Sequence, residues 1–157
     1  MKRASSASRP PGPRRLFAVR GSGIHGKGVF AAADIPKGTR LVEYLGERIT
    51  GAQMDARYAT DASPHTFVFS LTDGGYLDAT SGGNEARFIN HSCKPNCESI
   101  EDEGRIFIEA TRAIRAGDEL SYDYGIELEE RHTKARKAFY ECRCGKRGCK
   151  GTMLAEK

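Results

Sequence analysis

The sequence predicts a mainly β fold. Short runs of branched and aromatic residues recur at irregular spacing, helical patterns are few, and strands do not alternate with helices as they would around a parallel sheet. A length of 157 residues suits one domain able to bury its own core. No apolar run approaches the roughly 20 residues that span a bilayer, and no secretory h-region follows the N-terminus, so no membrane partner is expected.

Leu16-Phe17-Ala18-Val19 reads as the first strand. A glycine-rich turn over Gly21 to Gly28 leads into Val29-Phe30-Ala31, and Ile35-Pro36-Lys37-Gly38 marks another turn. Leu41 to Leu45 reads as a strand stopped by Gly46. Thr50 followed by Gln53 is a capping-box pair, which predicts a short helix from Gly51 to about Ala59. Phe67 to Leu71 and Tyr76 to Ala79 flank Thr72-Asp73-Gly74-Gly75, a hairpin signal. Arg105 to Ala110 alternates as a strand, and Ala116-Gly117-Asp118 turns the chain into Glu119 to Tyr124. Glu129 to Phe139 is the longer helix candidate, with acids first, bases toward its end and an i,i+4 pair, Glu130–Lys134.

Charge is unevenly placed. Of 25 basic and 21 acidic residues, five basic ones and no acid fall in residues 1–15, so the remainder carries a net −1. The overall +4 therefore describes a tail and not a basic domain surface. Rich in arginine, serine and proline, residues 1–15 read as a disordered basic tail. The same composition suits a transit peptide or a weak polyanion-binding arm.

Five cysteines is an odd number, and Cys142, Cys144 and Cys149 lie close together. Thiolates on a metal in a reducing, intracellular compartment explain this better than a disulfide framework: cytoplasm in a prokaryote, nucleus in a eukaryote. Three thiolates leave a tetrahedral zinc site one ligand short, and Cys93 or Cys97 could complete it. Gly21-x-Gly23-x-x-Gly26 imitates a dinucleotide fingerprint and Gly21-x4-Gly26-Lys27 nearly forms a P-loop. Neither leads into a helix N-terminus, and Gly28 stands where a P-loop needs Ser or Thr, so both nucleotide readings fail.

Arg87, Asn90, His91 and Ser92 crowd polar groups around Phe88 and Ile89, and such a segment needs partners in the protein or on a ligand. Tyr122 and Tyr124, at i and i+2 after a strand, share one face. Alone such a pair reads as core or surface aromatic packing, and beside a ligand-binding segment it would line a slot for an apolar chain with a polar tip.

In this order the pieces resemble the SET-domain protein lysine methyltransferases. The matching segments are Ile24 to Ala31, Val42 to Gly46, Asp78-Ala79, Gly83-Asn84, Arg87 to Asn96, Gly117 to Leu120, Tyr122 to Gly125, and the Cys142–Cys149 cluster. The resemblance implies a fold of small curved β-sheets with a pseudoknot, few short helices and a C-terminal zinc-binding post-SET segment. It divides the chain into residues 16–125 as SET domain, 126–139 as helical connector and 140–157 as post-SET segment. No cysteine precedes Phe17, which implies a minimal form without the family's pre-SET region.

The implied activity is S-adenosylmethionine-dependent protein-lysine N-methylation, releasing S-adenosylhomocysteine, with a histone-like or other basic protein as substrate. Tyr124, Tyr122 and Tyr44 would be the catalytic and channel tyrosines. A tyrosine at 122 implies mono- or dimethylation, because its hydroxyl fills space that added methyl groups would need. His25, Lys27, Gly28, Val29, Tyr58, Arg87, Asn90, His91 and Arg143 would contact the cofactor. Cys93, Cys142, Cys144 and Cys149 would bind Zn²⁺, leaving Cys97 free. The alternatives are a catalytically silent SET domain that binds peptide or cofactor, and a zinc-stabilised nucleic-acid module using the basic tail.

Overall fold

Four small sheets, one 3-10 turn and two short helices make up the computed structural model, which describes residues 15–60, 64 and 66–156. The expected disorder and polyanion contact of the basic tail concern residues that, apart from Arg15, lie outside the described ones. β1 (Phe17–Gly21) pairs antiparallel with β2 (Lys27–Ala31). β3 (Arg40–Tyr44) runs into β4 (Glu47–Ile49) and α1 (Gly51–Tyr58), followed by β5 (Val68–Ser70) and β6 (Tyr76–Asp78). The 3-10 turn Glu85–Phe88 leads to β7 (Asn90–His91), the hairpin β8 (Cys97–Asp102) and β9 (Arg105–Ala110), β10 (Ser121–Tyr122) and α2 (Lys134–Phe139). Sheet orders are β3-β9-β8 and β4-β6-β5, while β10 and β7 pair in parallel.

Local chemistry explains most of these elements. In α1 the Thr50 hydroxyl accepts from the Gln53 amide and the Gln53 side chain returns the bond, so the capping box forms as expected. In β9 strict alternation buries Ile106, Ile108 and Ala110. Phe107, on the other face, lies under the Arg40 and Arg105 guanidiniums at 4.1 and 5.0 Å. Arg40 reaches Glu109 at 2.6 Å and Arg105 reaches Glu43 at 2.8 Å, tying β3 to β9 across the same face.

Two elements depart from the sequence reading. β8 carries Glu98, Glu101 and Asp102, poor strand formers, and was not expected. It forms because Glu103 and Gly104, with φ of 50° and 74°, make the tight turn that matches strand twist and register it against β9. α2 starts at Lys134, not Glu129: the Thr133 side chain caps it by accepting from the Arg136 amide. Glu130 consequently pairs with Arg136 at 2.6 Å instead of Lys134.

Asp78 organises the region around α1. Its side chain is fully buried, yet it accepts from Tyr58 at 2.5 Å, the Thr80 amide at 2.9 Å and Arg57 at 3.0 Å. Burial pushes its pKa up, but these donors outweigh burial and hold it below the usual aspartate value. Gly46 packs on the same backbone, and a Cβ there would lie 2.7 Å from the Asp78 carbonyl. Asp78→Asn should cost about 1–3 kcal/mol in urea unfolding, since a buried amide cannot serve all three donors. The carboxylate's stabilisation is complete above its unfolded pKa of about 3.9 and fades as pH falls through the lowered folded value. The acid-induced loss of stability should therefore be shallower in the Asn variant.

Candidate active site and metal centre

Parallel pairing of β7 with β10 sets Asn90 beside Ser121 and His91 beside Tyr122. Two residues per strand are too few to hold such a crossing, and Asn96 reinforces it. Its amide donates to the Glu119 carbonyl and its oxygen accepts from the Ser121 amide, each at 2.9 Å. Asn90 in turn donates to the Lys27 carbonyl at 2.9 Å and the Glu119 carboxylate at 3.0 Å, with the His25 carbonyl at 3.3 Å. The glycine-rich loop is thus strapped to the Asn-His segment. Gly28 is needed there, because a Cβ would sit 2.3 Å from Glu119 Oε1.

Beside this crossing lies a cleft of about 650 Å³, lined among others by His25, Tyr58, Phe67, His91, Tyr124 and Arg143. That is the size of an ordinary small-molecule site, about 300–1,000 Å³. Asn90 also reaches its wall. Lys27, Gly28, Val29 and Arg87 do not line it. Val29 is buried with its carbonyl accepting the Leu120 amide at 2.7 Å, and the Lys27 ammonium and Arg87 guanidinium lie 5.1 and 4.8 Å from the Phe88 ring. The Tyr58 hydroxyl is committed to Asp78, with Thr80 Oγ1 3.2 Å away.

Aromatic rings continue inward from the cleft. Tyr124 lies 5.3 Å from His91 and 4.9 Å from Tyr122. Tyr122 stacks on Phe69 at 5.9 Å, and Phe69 meets the edge of Tyr44 at 4.7 Å. Tyr122 and Tyr44 are 2% and 1% exposed. The Tyr124 hydroxyl donates to the Ile89 carbonyl at 2.6 Å, whereas the Tyr44 hydroxyl is buried with no hydrogen-bond partner among the described residues. Such an orphan costs about 1–3 kcal/mol and points to a polar atom supplied by a ligand. Burial pushes all three phenols above the ordinary tyrosine value, so each stays neutral at physiological pH.

The four cysteines converge behind His91. Sγ atoms of Cys93, Cys142, Cys144 and Cys149 all lie within 4.8 Å of one another, and Cys93 is 3.6 Å from Cys142 and 3.7 Å from Cys149. A tetrahedral Zn²⁺ with bonds of about 2.3 Å requires sulfur–sulfur edges of about 3.8 Å. Backbone amides of Lys150, Cys144 and Gly151 point at three of the sulfurs from 3.3–3.4 Å, as donors to thiolates should. The donor set fits zinc. Cys97, the other candidate, is buried in β8, where burial pushes its thiol up to about 11.

Residues 26–125 match the SET domain family model. The chain belongs to the SET-domain family. It is 38% identical over 139 residues to the histone-lysine N-methyltransferase, H3 lysine-4 specific, of Chaetomium globosum, covering 84% of this chain and 12% of that protein. It is also 38% identical to Drosophila melanogaster histone-lysine N-methyltransferase trr, over 84% of this chain and 6% of the relative. Human histone-lysine N-methyltransferase 2B matches at 38% over 87% of this chain and 5% of its own length. The SET-domain chain thus spans a small part of each of these relatives. Its sheets, few helices and cysteine cluster agree with the fold that the resemblance implied.

Sequence reasoning missed Glu119, Asn96 and Phe139. Glu119 accepts from Ser22 at 2.7 Å as well as from Asn90, and Phe139 supplies an apolar wall from α2. Glu119 and Asn96 stood inside matched segments but carried no separate signal. Cys93→Ser should lose stoichiometric zinc retention after gel filtration against a chelator, whereas Cys97→Ser should retain one zinc per chain.

Proposed function

We propose that this chain is a protein-lysine N-methyltransferase that uses S-adenosylmethionine and places one or two methyl groups on a lysine of a histone-like protein. The observation that carries this reading is the row of neutral phenols, Tyr124, Tyr122 and Tyr44, running from the cleft toward the buried core. The relatives' names, histone-lysine N-methyltransferases, support the same chemistry and the histone-like substrate. A compartment reducing enough to keep the four thiols free is required, and no helix among the described residues is long and apolar enough to cross a membrane.

S-adenosylmethionine supplies, when bound, a methyl group on a sulfonium sulfur that departs neutral. His25, Tyr58, His91 and Arg143 line the cleft that would hold it, and the Asn90 side chain fixes the His25–Lys27 backbone along one edge. Lys27, Gly28, Val29 and Arg87 would act from behind that edge, by holding its shape.

A substrate lysine carries a proton in water, with a pKa of about 10.4. Tyrosines held neutral by burial are poor bases, so proton removal by a phenolate is disfavoured. An aromatic slot instead lowers the pKa of the incoming amine by desolvation, and the amine arrives neutral. Tyr124 donates its own hydrogen to Ile89, which leaves its oxygen lone pair free to accept an amine N–H and aim the nitrogen. Catalysis is then positioning and electrostatics, with no protein nucleophile. Tyr44 contributes a second phenol oxygen, one that has no hydrogen-bond partner among the described residues. The Tyr122 hydroxyl fills volume beside Tyr124 that a bulkier, trimethylated nitrogen would need.

Tyr124→Phe should lower kcat for methyl transfer to histone H3 about 100-fold or more while zinc content is unchanged. Tyr122→Phe should raise the methylation state reached, with trimethyl-lysine appearing in product mass spectra. Dominant trimethylation by the unsubstituted protein would contradict the assignment of Tyr122.

A further inference from the structure

One side chain joins the metal centre to the aromatic slot. His91 is 3% exposed and both ring nitrogens are engaged. Nδ1 lies 3.0 Å from the Tyr124 backbone nitrogen, and Nε2 lies 3.5 Å from Cys93 Sγ. A backbone N–H can only donate, so Nδ1 must be the unprotonated nitrogen. The ring hydrogen then sits on Nε2, aimed at the sulfur. Among the described residues, Asp123, with Oδ1 3.6 Å from Nδ1, is the acid placed to compete for a proton there. Its oxygens already accept from the Gly125 amide at 3.0 Å and the Lys150 ammonium at 3.2 Å.

We propose that His91 is a positioning residue, the strut through which the metal-bound Cys93 thiolate sets the backbone position of Tyr124. The inference rests on the tetrathiolate cluster holding zinc and on Tyr124 serving the transfer. An ionised sulfur accepts the Nε2–H more strongly than a neutral thiol does, and a charged partner roughly doubles such a bond. The ring is thereby locked in one tautomer and one orientation, with its other face presented to Tyr124. Loss of the metal unfixes the Cys93 sulfur, frees the ring to turn and releases the Tyr124 amide. The phenol is thus coupled to the cluster through one imidazole.

The two ends of the strut can be separated. His91→Asn keeps an acceptor near Nδ1 and removes the donor to sulfur, whereas His91→Gln keeps a donor near Nε2 and removes the acceptor. Zinc stoichiometry and affinity are read by competition with a chromophoric chelator. The Tyr124 ring is followed by NMR of protein carrying ¹³C-tyrosine, assigned with Tyr124→Phe. In the unsubstituted protein the Tyr124 signal should move when zinc is removed. His91→Asn should bind zinc about 10–100-fold more weakly, with a Tyr124 signal that no longer responds to zinc removal. His91→Gln should bind zinc within a few-fold of the unsubstituted protein, with Tyr124 displaced even when zinc is present.

Equal zinc affinity in both variants, with Tyr124 still tracking the metal, overturns the strut. Absence of zinc from the unsubstituted protein overturns the metal centre itself, a separate failure. Should neither variant fold, the unsubstituted protein loaded with ¹¹³Cd and labelled with ¹⁵N-histidine decides. A His91 Nε2–H tautomer with scalar coupling to cadmium supports the strut, and an Nδ1–H tautomer refutes it.

Discussion

Everything functional here depends on a two-residue parallel pairing. Asn90–His91 against Ser121–Tyr122 is a small contact, yet it joins three segments far apart in sequence: the glycine-rich loop, the Asn-His segment and the tyrosine pair. Strand pairing alone at that length is weak. Asparagine side chains extend it, Asn96 bonding the backbone of Glu119 and Ser121 and Asn90 bonding the first residue of β2. Glu119 adds a carboxylate that takes hydrogens from both Asn90 and Ser22. The polar residues that looked unusual beside Phe88 and Ile89 are thus internal fasteners as well as candidates for ligand contact.

That crossing also decides the electrostatics of the slot. Because β10 is buried on both sides, Tyr122 within it and Tyr124 just after it are desolvated and stay neutral, which suits them for orienting an amine and not for taking a proton from one. On the far side of His91 four sulfurs gather where one cation would satisfy them all. Burial keeps His91 below its ordinary pKa, with Asp123 opposing, so a neutral ring separates the acidic and metal-binding sides. Lys150 balances Asp123 at 3.2 Å and so steadies the charge next to that ring.

Much of this was legible in residue order, for reasons that differ by element. Capping of α1 follows from Thr50 and Gln53 alone, and the alternation of β9 predicts both its faces. β8 was invisible because its acids oppose strand formation, and only the Glu103-Gly104 turn and pairing with β9 overcome them. α2 was read too long because charge pattern cannot reveal that Thr133 supplies the cap. Cysteine spacing indicated a metal with one ligand open, and spatial convergence of Cys93 with Cys142 and Cys149 completes the set. Glu119 could not be found from sequence pattern, since its role arises only when β7 and β10 cross.

The central claim is that this crossing directs an uncharged lysine nitrogen at a methyl donor held in the cleft. A crystal structure of the zinc-loaded protein with S-adenosylhomocysteine and a lysine peptide tests it most directly. The account predicts the lysine Nζ within about 3 Å of the Tyr124 oxygen, with its side chain passing between the Tyr44 and Tyr122 rings. A peptide lysine bound elsewhere, with S-adenosylhomocysteine outside the cleft beside His25 and Arg143, would contradict it.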